Sequence, residues 1–506
     1  MTAVVRQAAA PVEGHDPRRT RAWVGPLLIG LLAAGVYAVQ LNRASPWRDE
    51  VATIDAARRS WAGIFTLTGH VDAVHAAYYL ITHLVASLDP GPVQVLDGRV
   101  IGVVAMAAGA AGAAVLGRWT DRPASGVFAG LMLAASPLAS RYAQEARPFA
   151  LSTALAVAAT LALVAAIRHR GPTPGRWAVY AVAVVLLGVV EVLALLLLVA
   201  HAVAVLATRR AQLRAWLVAA AVALVVLSPL LALTVSQRGQ VSWLTAPAPA
   251  QLARFGGLAV GSTTGVVVLV LATALGAAGA LLARHHSGEG GQEPAGGVRG
   301  WALPLSWGIG LPVLLWLVSQ LHPLFDARYL LFALPGIALL VGRVLARLRL
   351  AAGAAALILV AAAGVPEQVA VRGPGGHNEN IRALDAAVAA ARRPGDMVLF
   401  VPDATSRVSQ LDPAIWVGTT RLRPDRAAPP AATATHRVLL IQRVTRTGEP
   451  ETPRERAALR RLARDHRRVS QTAVTGLLLS VWEPSPGAPP SPGVGPTAGA
   501  RPTGPA

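Results

Sequence analysis

Runs of about 17–25 apolar residues recur along the chain between Trp23 and Pro366, each long enough to cross a hydrocarbon core of roughly 30 Å as a helix. No soluble fold accommodates so many. Charge agrees, because only 14% of the 506 residues are charged, 54% are hydrophobic and the mean hydropathy is +0.50, whereas a soluble domain carries about 25% charge. The expected class is an α-helical polytopic membrane protein. Its first apolar run is long and followed by others, so it reads as a retained anchor and not a cleaved signal.

A formal charge of +20 would suggest nucleic acid in a soluble chain. Here the basic residues, all arginine, edge the spans and set topology, and no nucleic-acid partner is expected. The chain has no Cys, which excludes disulfides, thiol catalysis and thiolate metal sites.

Residues 1–22 form a polar tail whose Arg6, Arg18, Arg19 and Arg21 place the N-terminus in the cytoplasm. Span one covers about 23–41, and an external loop, 42–98, follows. Within that loop Val51, Ile54, Arg58 and Trp61 share a stripe, and Asp72, His75, Tyr79 and His83 recur at helical steps, the pattern of helices lying in the interface plane. Further spans are expected at about 99–117, 125–140, 148–167, 177–190, 192–207, 216–235, 258–283, 301–320, 328–342 and 350–366, about eleven in all. With 74–88 flat, the arginine-rich loops beginning at Arg118, Arg168, Arg209, Arg284 and Arg343 are all cytoplasmic.

Domain boundaries follow. After the tail comes a membrane domain, 23–366, then a small external α/β domain, 367–483, and a Pro/Gly-rich tail, 484–506, expected to be disordered. In the α/β domain, 378–393 reads as a helix and 396–401, 436–444 and 474–482 as strands. Thr452, Pro453 and Glu455 start a second helix with a capping box.

The same topology puts Asp49, Glu50, Asp72, His75, Glu145, Arg147, Glu191, Asp326, Arg328 and Tyr329 at external span ends or in external loops. Clustered charges near a bilayer tend to be functional, and carboxylates with arginines suit transfer from a lipid-linked phosphate. A carboxylate takes the acceptor's proton, and the planar guanidinium fork fits the phosphate. His201 reads as a packed, hydrogen-bonded histidine. No phosphate-cradling P-loop or dinucleotide fingerprint is present.

These residues resemble the motifs of GT-C glycosyltransferases, in the group related to protein O-mannosyltransferases and lipid A aminoarabinose transferases. The likeness spans about 20–345 and rests on four ordered motifs: Trp47–Arg48–Asp49–Glu50, Asp72 to Tyr79, Gln144 to Leu151, and Asp326–Ala327–Arg328–Tyr329–Leu330 with Leu334–Pro335. One departure is Ala73–Val74–His75, where relatives carry Lys-Pro-Pro or His-Pro-Pro. The resemblance implies Asp49 as general base with Glu50 shaping its site. It also implies that Arg48, Asp72, His75, Glu145, Arg147, Arg328 and Tyr329 contact the donor and its phosphate. The donor would be a polyprenyl-phosphate sugar (mannose or a similar hexose or pentose), and the acceptor a protein, lipid or glycan outside the cell membrane. No cofactor is expected; Asp72 and His75 could bind a divalent ion, but two ligands are too few to claim a metal site. A transporter or flippase is the competing class, but it calls for midplane ionisable residues and a repeat between halves.

Overall fold

The computed structural model describes residues 17–88, 91–169, 173–261, 298–423, 436–444 and 452–486. Its contacts divide the chain into two compact units. One is Met1–Leu41, Trp61–Thr82 and Leu96–Val369; the other is Asn42–Ser60, His83–Val95 and Ala370–Ala506. Two parts of the long first loop therefore fold with the C-terminal region and not with the spans that flank them.

The first unit is a multi-pass helical bundle. Five described helices are long and apolar enough to cross a membrane: Val95–Thr120, Phe149–Ile167, Arg210–Ser236, Gly300–Val318 and Ala327–Leu345. Two bent pairs raise this to seven: Pro123–Ala135 with Pro137–Ala143, at 61°, and Leu350–Ala363 with Val365–Val371, at 41°. Shorter apolar helices cover Trp23–Ala38, Ala73–Ala86, Pro174–Val190 and Val192–Thr208. Each expected span coincides with one of these except 258–283, which beyond Gly261 lies outside the described residues, as do 1–16 and the tail from 487.

Breaks in the bundle have local causes. The run from 174 to 208 is interrupted at Glu191, which is extended (φ −152°, ψ 102°) between a helix ending at Val190 and a 3-10 turn at Val192–Leu196. Ser136 makes the 61° bend, its hydroxyl accepting from the Ala139 N–H as a cap and donating to the Ala259 carbonyl. Without a hydrophobic drive between helices in lipid, close backbone approach provides the packing. A Cβ added at Gly117 would meet Gly126 at 2.7 Å, and one at Gly308 would meet Gly336 at 2.6 Å.

One polar chain crosses the apolar interior. The Trp216 indole donates to the Tyr180 hydroxyl (2.9 Å), which donates to Nδ1 of His201 (2.9 Å). Nε2 of His201 then donates to Thr160 (3.0 Å), whose hydroxyl donates to the Ala156 carbonyl (2.7 Å). Only the Nε2-protonated tautomer satisfies every member, so His201 is the packed histidine expected. His201→Ala leaves the buried Tyr180 hydroxyl without its acceptor, at about 1–3 kcal/mol, and the melting temperature in detergent should drop while the fold persists. An unchanged melting temperature would show that the chain contributes nothing.

The second unit is built on a five-stranded sheet, β1 (Met397–Val401), β2 (Thr420–Leu422), β3 (Val438–Arg443), β4 (His466–Val474) and β5 (Leu477–Pro484), in the order β2-β1-β3-β5-β4. β1 is parallel to β2 and β3, whereas β5 runs antiparallel to β3 and β4. β1 is buried throughout, as its unbroken Met-Val-Leu-Phe-Val run requires of a central parallel strand. Helix Ile381–Ala391 and Val51 cover one face and helix Pro453–Asp465 the other. That last helix carries the expected Thr452–Glu455 capping box.

Sequence reading placed one strand at the end of this unit, where the structure has a hairpin. Gly476, at φ +75°, turns β4 into β5, and the expected strand at 474–482 corresponds to β5. β4 was missed because its side chains are almost all exposed, so it lacks any apolar alternation.

Asp385 is buried at 5% exposure in the helix against this sheet. Burial first, and the Asp412 carboxylate second, push it up to about 7 against the opposing Trp416 indole. Folded chains thus keep a proton that unfolded chains release near about pH 4, and stability falls as pH rises from there to about 7. Asp385→Asn should melt above the parent at alkaline pH and level with it in acid. Equal melting temperatures at both ends would contradict this.

Candidate active site

The sequence-predicted residues separate between the units, and each group is built by its own surroundings. In the helical unit they gather where the first helix ends. The Tyr37 hydroxyl donates to the Leu133 carbonyl at 2.8 Å, and the Gln144 amide donates to the carbonyls of Tyr37 (2.7 Å) and Val39 (2.9 Å). Those bonds pin the short segment Gln144–Arg147 beside the end of the first span. Beneath it runs the glycine pair Gly98 and Gly102, one helical turn apart. A Cβ at Gly98 would lie 2.5 Å from that of Ala146, and one at Gly102 would lie 2.6 Å from the Ala143 carbonyl oxygen. Gly102→Ala meets backbone there, so the segment must move. Overpacking of this kind costs about 1–3 kcal/mol, which a lower melting temperature should report; a parental value would mean that the segment yields freely.

Glu145 is fully buried and accepts from Nε of Arg141 at 3.2 Å, four residues earlier. Truncating one partner of such a pair leaves an uncompensated buried charge, at about 3–5 kcal/mol. Two residues on, the Arg147 guanidinium donates to Nε2 of His75 at 2.7 Å. Arginine has no acceptor, so this nitrogen supplies the lone pair and His75 is neutral, protonated on Nδ1. The positive charge at this position belongs to Arg147, and His75 orients it.

The turn bearing His75 is locked in place. Asp72 adopts φ +59°, a left-handed conformation that Asp tolerates better than most residues. Its Oδ2 accepts from the Tyr79 hydroxyl at 3.2 Å, and the Tyr79 ring lies 6.0 Å from that of His75. Gln237 accepts from the Ala73 N–H (2.9 Å) and donates to the Thr68 carbonyl (3.0 Å). Thus Asp72 acts on the turn, and Gln237, from a distant helix end, is a supporting residue that the sequence motifs omit.

Arg328 and Tyr329 come from a 3-10 segment, Ala327–Ala333. Asp326 accepts from the Arg328 N–H at 3.1 Å and pairs with its Nε at 3.6 Å. The guanidinium stacks 5.2 Å from the Tyr329 centroid and 5.4 Å from that of Trp243. Cation–π contact with two rings holds the guanidinium between them. Tyr329 packs 6.1 Å from Phe149, whose ring lies 5.9 Å from the Arg147 guanidinium. Glu191, in the break between two spans, is pushed up to about 7 by burial, with Arg147 and Arg328 opposing it. His75, Glu145, Arg147, Glu191, Asp326, Arg328 and Tyr329 therefore form one cluster, with Asp72 at its edge through Tyr79.

Arg48, Asp49 and Glu50 belong to the sheet unit, where they open helix Arg48–Ala57 as its first turn. Negative charge is favoured at that end by the helix dipole. Adjacent helical residues do not face one another, and the two carboxylates have different settings. Glu50 is fully buried; its carboxylate accepts from the Trp47 N–H at 3.4 Å and pairs with Nδ1 of His377 at 3.6 Å. Asp49 is half-buried. Arg48 pairs with Glu379 at 3.3 Å. Among the described residues no group of three or more His, Cys, Asp or Glu is placed to hold a metal ion.

No protein-family model matches the sequence, and comparison with curated proteins finds no match. Solved structures do match. ArnT from Cupriavidus metallidurans in the apo state superposes on 92% of this chain and 98% of its own, with a TM-score of 0.59 and 11% identity. The same protein bound to undecaprenyl phosphate superposes on 91% of this chain and 98% of its own, at 0.55 and 12%. At such identity the likeness is one of fold, and it extends over both units: the chain has the GT-C fold.

Proposed function

We propose that the chain is a membrane glycosyltransferase that moves a sugar from a polyprenyl-phosphate carrier to an acceptor outside the cell membrane. The observation that carries this reading is the Arg147–Arg328 cluster with its buried carboxylates, set in a fold whose solved neighbour binds undecaprenyl phosphate. Arginine forks suit a phosphate monoester.

In the proposed reaction the acceptor hydroxyl oxygen attacks C1 of the sugar while the bond from C1 to the carrier phosphate oxygen breaks. The bonding pair leaves with the polyprenyl phosphate, whose growing charge Arg147 and Arg328 stabilise. Asp49 takes the acceptor proton as general base. Attack opposite the leaving group inverts C1. His75 holds Arg147 in position, Glu145 and Arg141 brace the segment that carries it, and Tyr329 with Trp243 orients Arg328. The N-terminus is assigned to the cytoplasm and the sheet unit to the external side. Sugar and acceptor are left at the level of class, a hexose or pentose and an envelope protein, lipid or glycan.

Lipid extracts from cells lacking the protein test this reading. The proposal expects a polyprenyl-phosphate sugar to accumulate while one envelope glycan loses that sugar. A normal lipid profile with an intact envelope would overturn it.

A further inference from the structure

Helix Phe149–Ile167 starts just after Arg147 and is capped by Arg168. Its 19 residues carry the chain about 28 Å, close to the depth of a bilayer core, away from the Arg147–Arg328 cluster. At that far end the helical unit holds a separate cavity of about 360 Å³, within the range of about 300–1,000 Å³ usual for small-molecule sites. The buried Leu163, Val164 and Leu303 form its depth, and the exposed Arg168 and Arg209 stand at its mouth with Trp119. The Arg168 guanidinium lies 5.7 Å from the Trp119 ring centroid. Gln212 donates to the His169 carbonyl at 2.8 Å, which ties the loops 168–176 and 209–214 together. Those two loops hold six arginines and no acidic residue. Arg168 donates to the Trp119 carbonyl (3.4 Å), Arg176 to that of Ala165 (3.0 Å) and Arg210 to that of Leu206 (3.1 Å). Among the described residues none of these three, nor Arg209, meets a carboxylate.

We propose that this cavity binds an anionic phospholipid from the bilayer leaflet at that face, its headgroup phosphate on Arg168 and Arg209 and the start of one acyl chain against Leu163, Val164 and Leu303. Charge and lining together select this occupant. A guanidinium has five N–H donors, so one bond to a carbonyl leaves Arg168 able to fork onto a phosphate. A soluble phosphate would engage the arginines and leave the apolar wall unused, whereas a neutral lipid would fill the wall and leave the arginines without an anion. Basic pockets between membrane helices take anionic headgroups. Topology asks only that arginines lie in these loops; it does not ask that they surround an apolar cavity. The site is separate from the reaction cluster, and lipid binding there does not depend on sugar transfer.

The full-length protein in detergent, stripped of lipid, is titrated with phosphatidylglycerol, phosphatidylcholine, inorganic phosphate and polyprenyl phosphate while its melting temperature is followed. A ligand that binds the native state raises this temperature by mass action. Phosphatidylglycerol should raise it, and phosphatidylcholine or inorganic phosphate at the same concentrations should not. The phosphatidylglycerol concentration that gives half the effect should increase about fivefold in Arg168→Gln and in Arg209→Gln, and about 25-fold in the double variant. Arg254→Gln, which removes an exposed arginine outside the cavity, should titrate like the parent. If the double variant fails to insert, the two single variants decide. An equal rise with phosphatidylcholine, or a phosphatidylglycerol response that the arginine variants leave unchanged, overturns the proposal. So does a response to inorganic phosphate alone, which would make this a soluble-anion site. A response to polyprenyl phosphate that the double variant loses, with none to phosphatidylglycerol, would give the cavity to the carrier and overturn it as well.

Discussion

Asp49→Asn should lower the rate of sugar transfer by about 10²–10⁴-fold, the usual contribution of a positioned general base. Asn keeps the size and some hydrogen bonding of Asp but cannot accept the acceptor proton. Stability should change little, because the first turn of its helix is held by Glu50 and Glu379 through Trp47, Arg48 and His377. The contrast with Glu50 is informative. Glu50→Gln weakens a fully buried pair with His377, so its loss of activity should come with a lower melting temperature. Transfer at the parental rate by folded Asp49→Asn would remove Asp49 as the base.

Arg147→Ala is the second large effect. Hydrogen bonds to a charged group contribute about 1.5–3 kcal/mol, so kcat/KM for the lipid donor should fall by about 10–150-fold. Arg147→Lys should recover only part of this. Lysine keeps the charge but loses the fork and is too differently shaped to preserve the 2.7 Å bond to His75. Steady-state kinetics with varied donor check both variants; an unchanged donor dependence in Arg147→Ala would place the phosphate elsewhere.

The bundle was legible because a spanning helix declares itself within one stretch of chain. Even the break at Glu191 was readable, since a single carboxylate divides an otherwise continuous apolar run. The Thr452–Glu455 box was equally local. β2 and β4 were not legible, because edge strands that are exposed carry no apolar pattern. Site residues divide in the same way. Arg141 stands four residues before Glu145, a spacing that predicts an ion pair on a helix, although only Glu145 drew notice from the sequence. Glu379 and His377 lie more than three hundred residues from the acidic turn they hold, and nothing local to either marks them. The grouping of 42–60 with the sheet unit was hidden for the same reason, since it rests on contacts distant in sequence.

The account is tested most directly in vesicles containing purified protein, a polyprenyl-phosphate sugar and envelope acceptor. Sugar joined to the acceptor and polyprenyl phosphate released should be counted together. The account predicts equal amounts of the two, both lost in Asp49→Asn. Movement of the intact lipid-linked sugar across the bilayer, with no bond broken and no difference between the parent and Asp49→Asn, would contradict it.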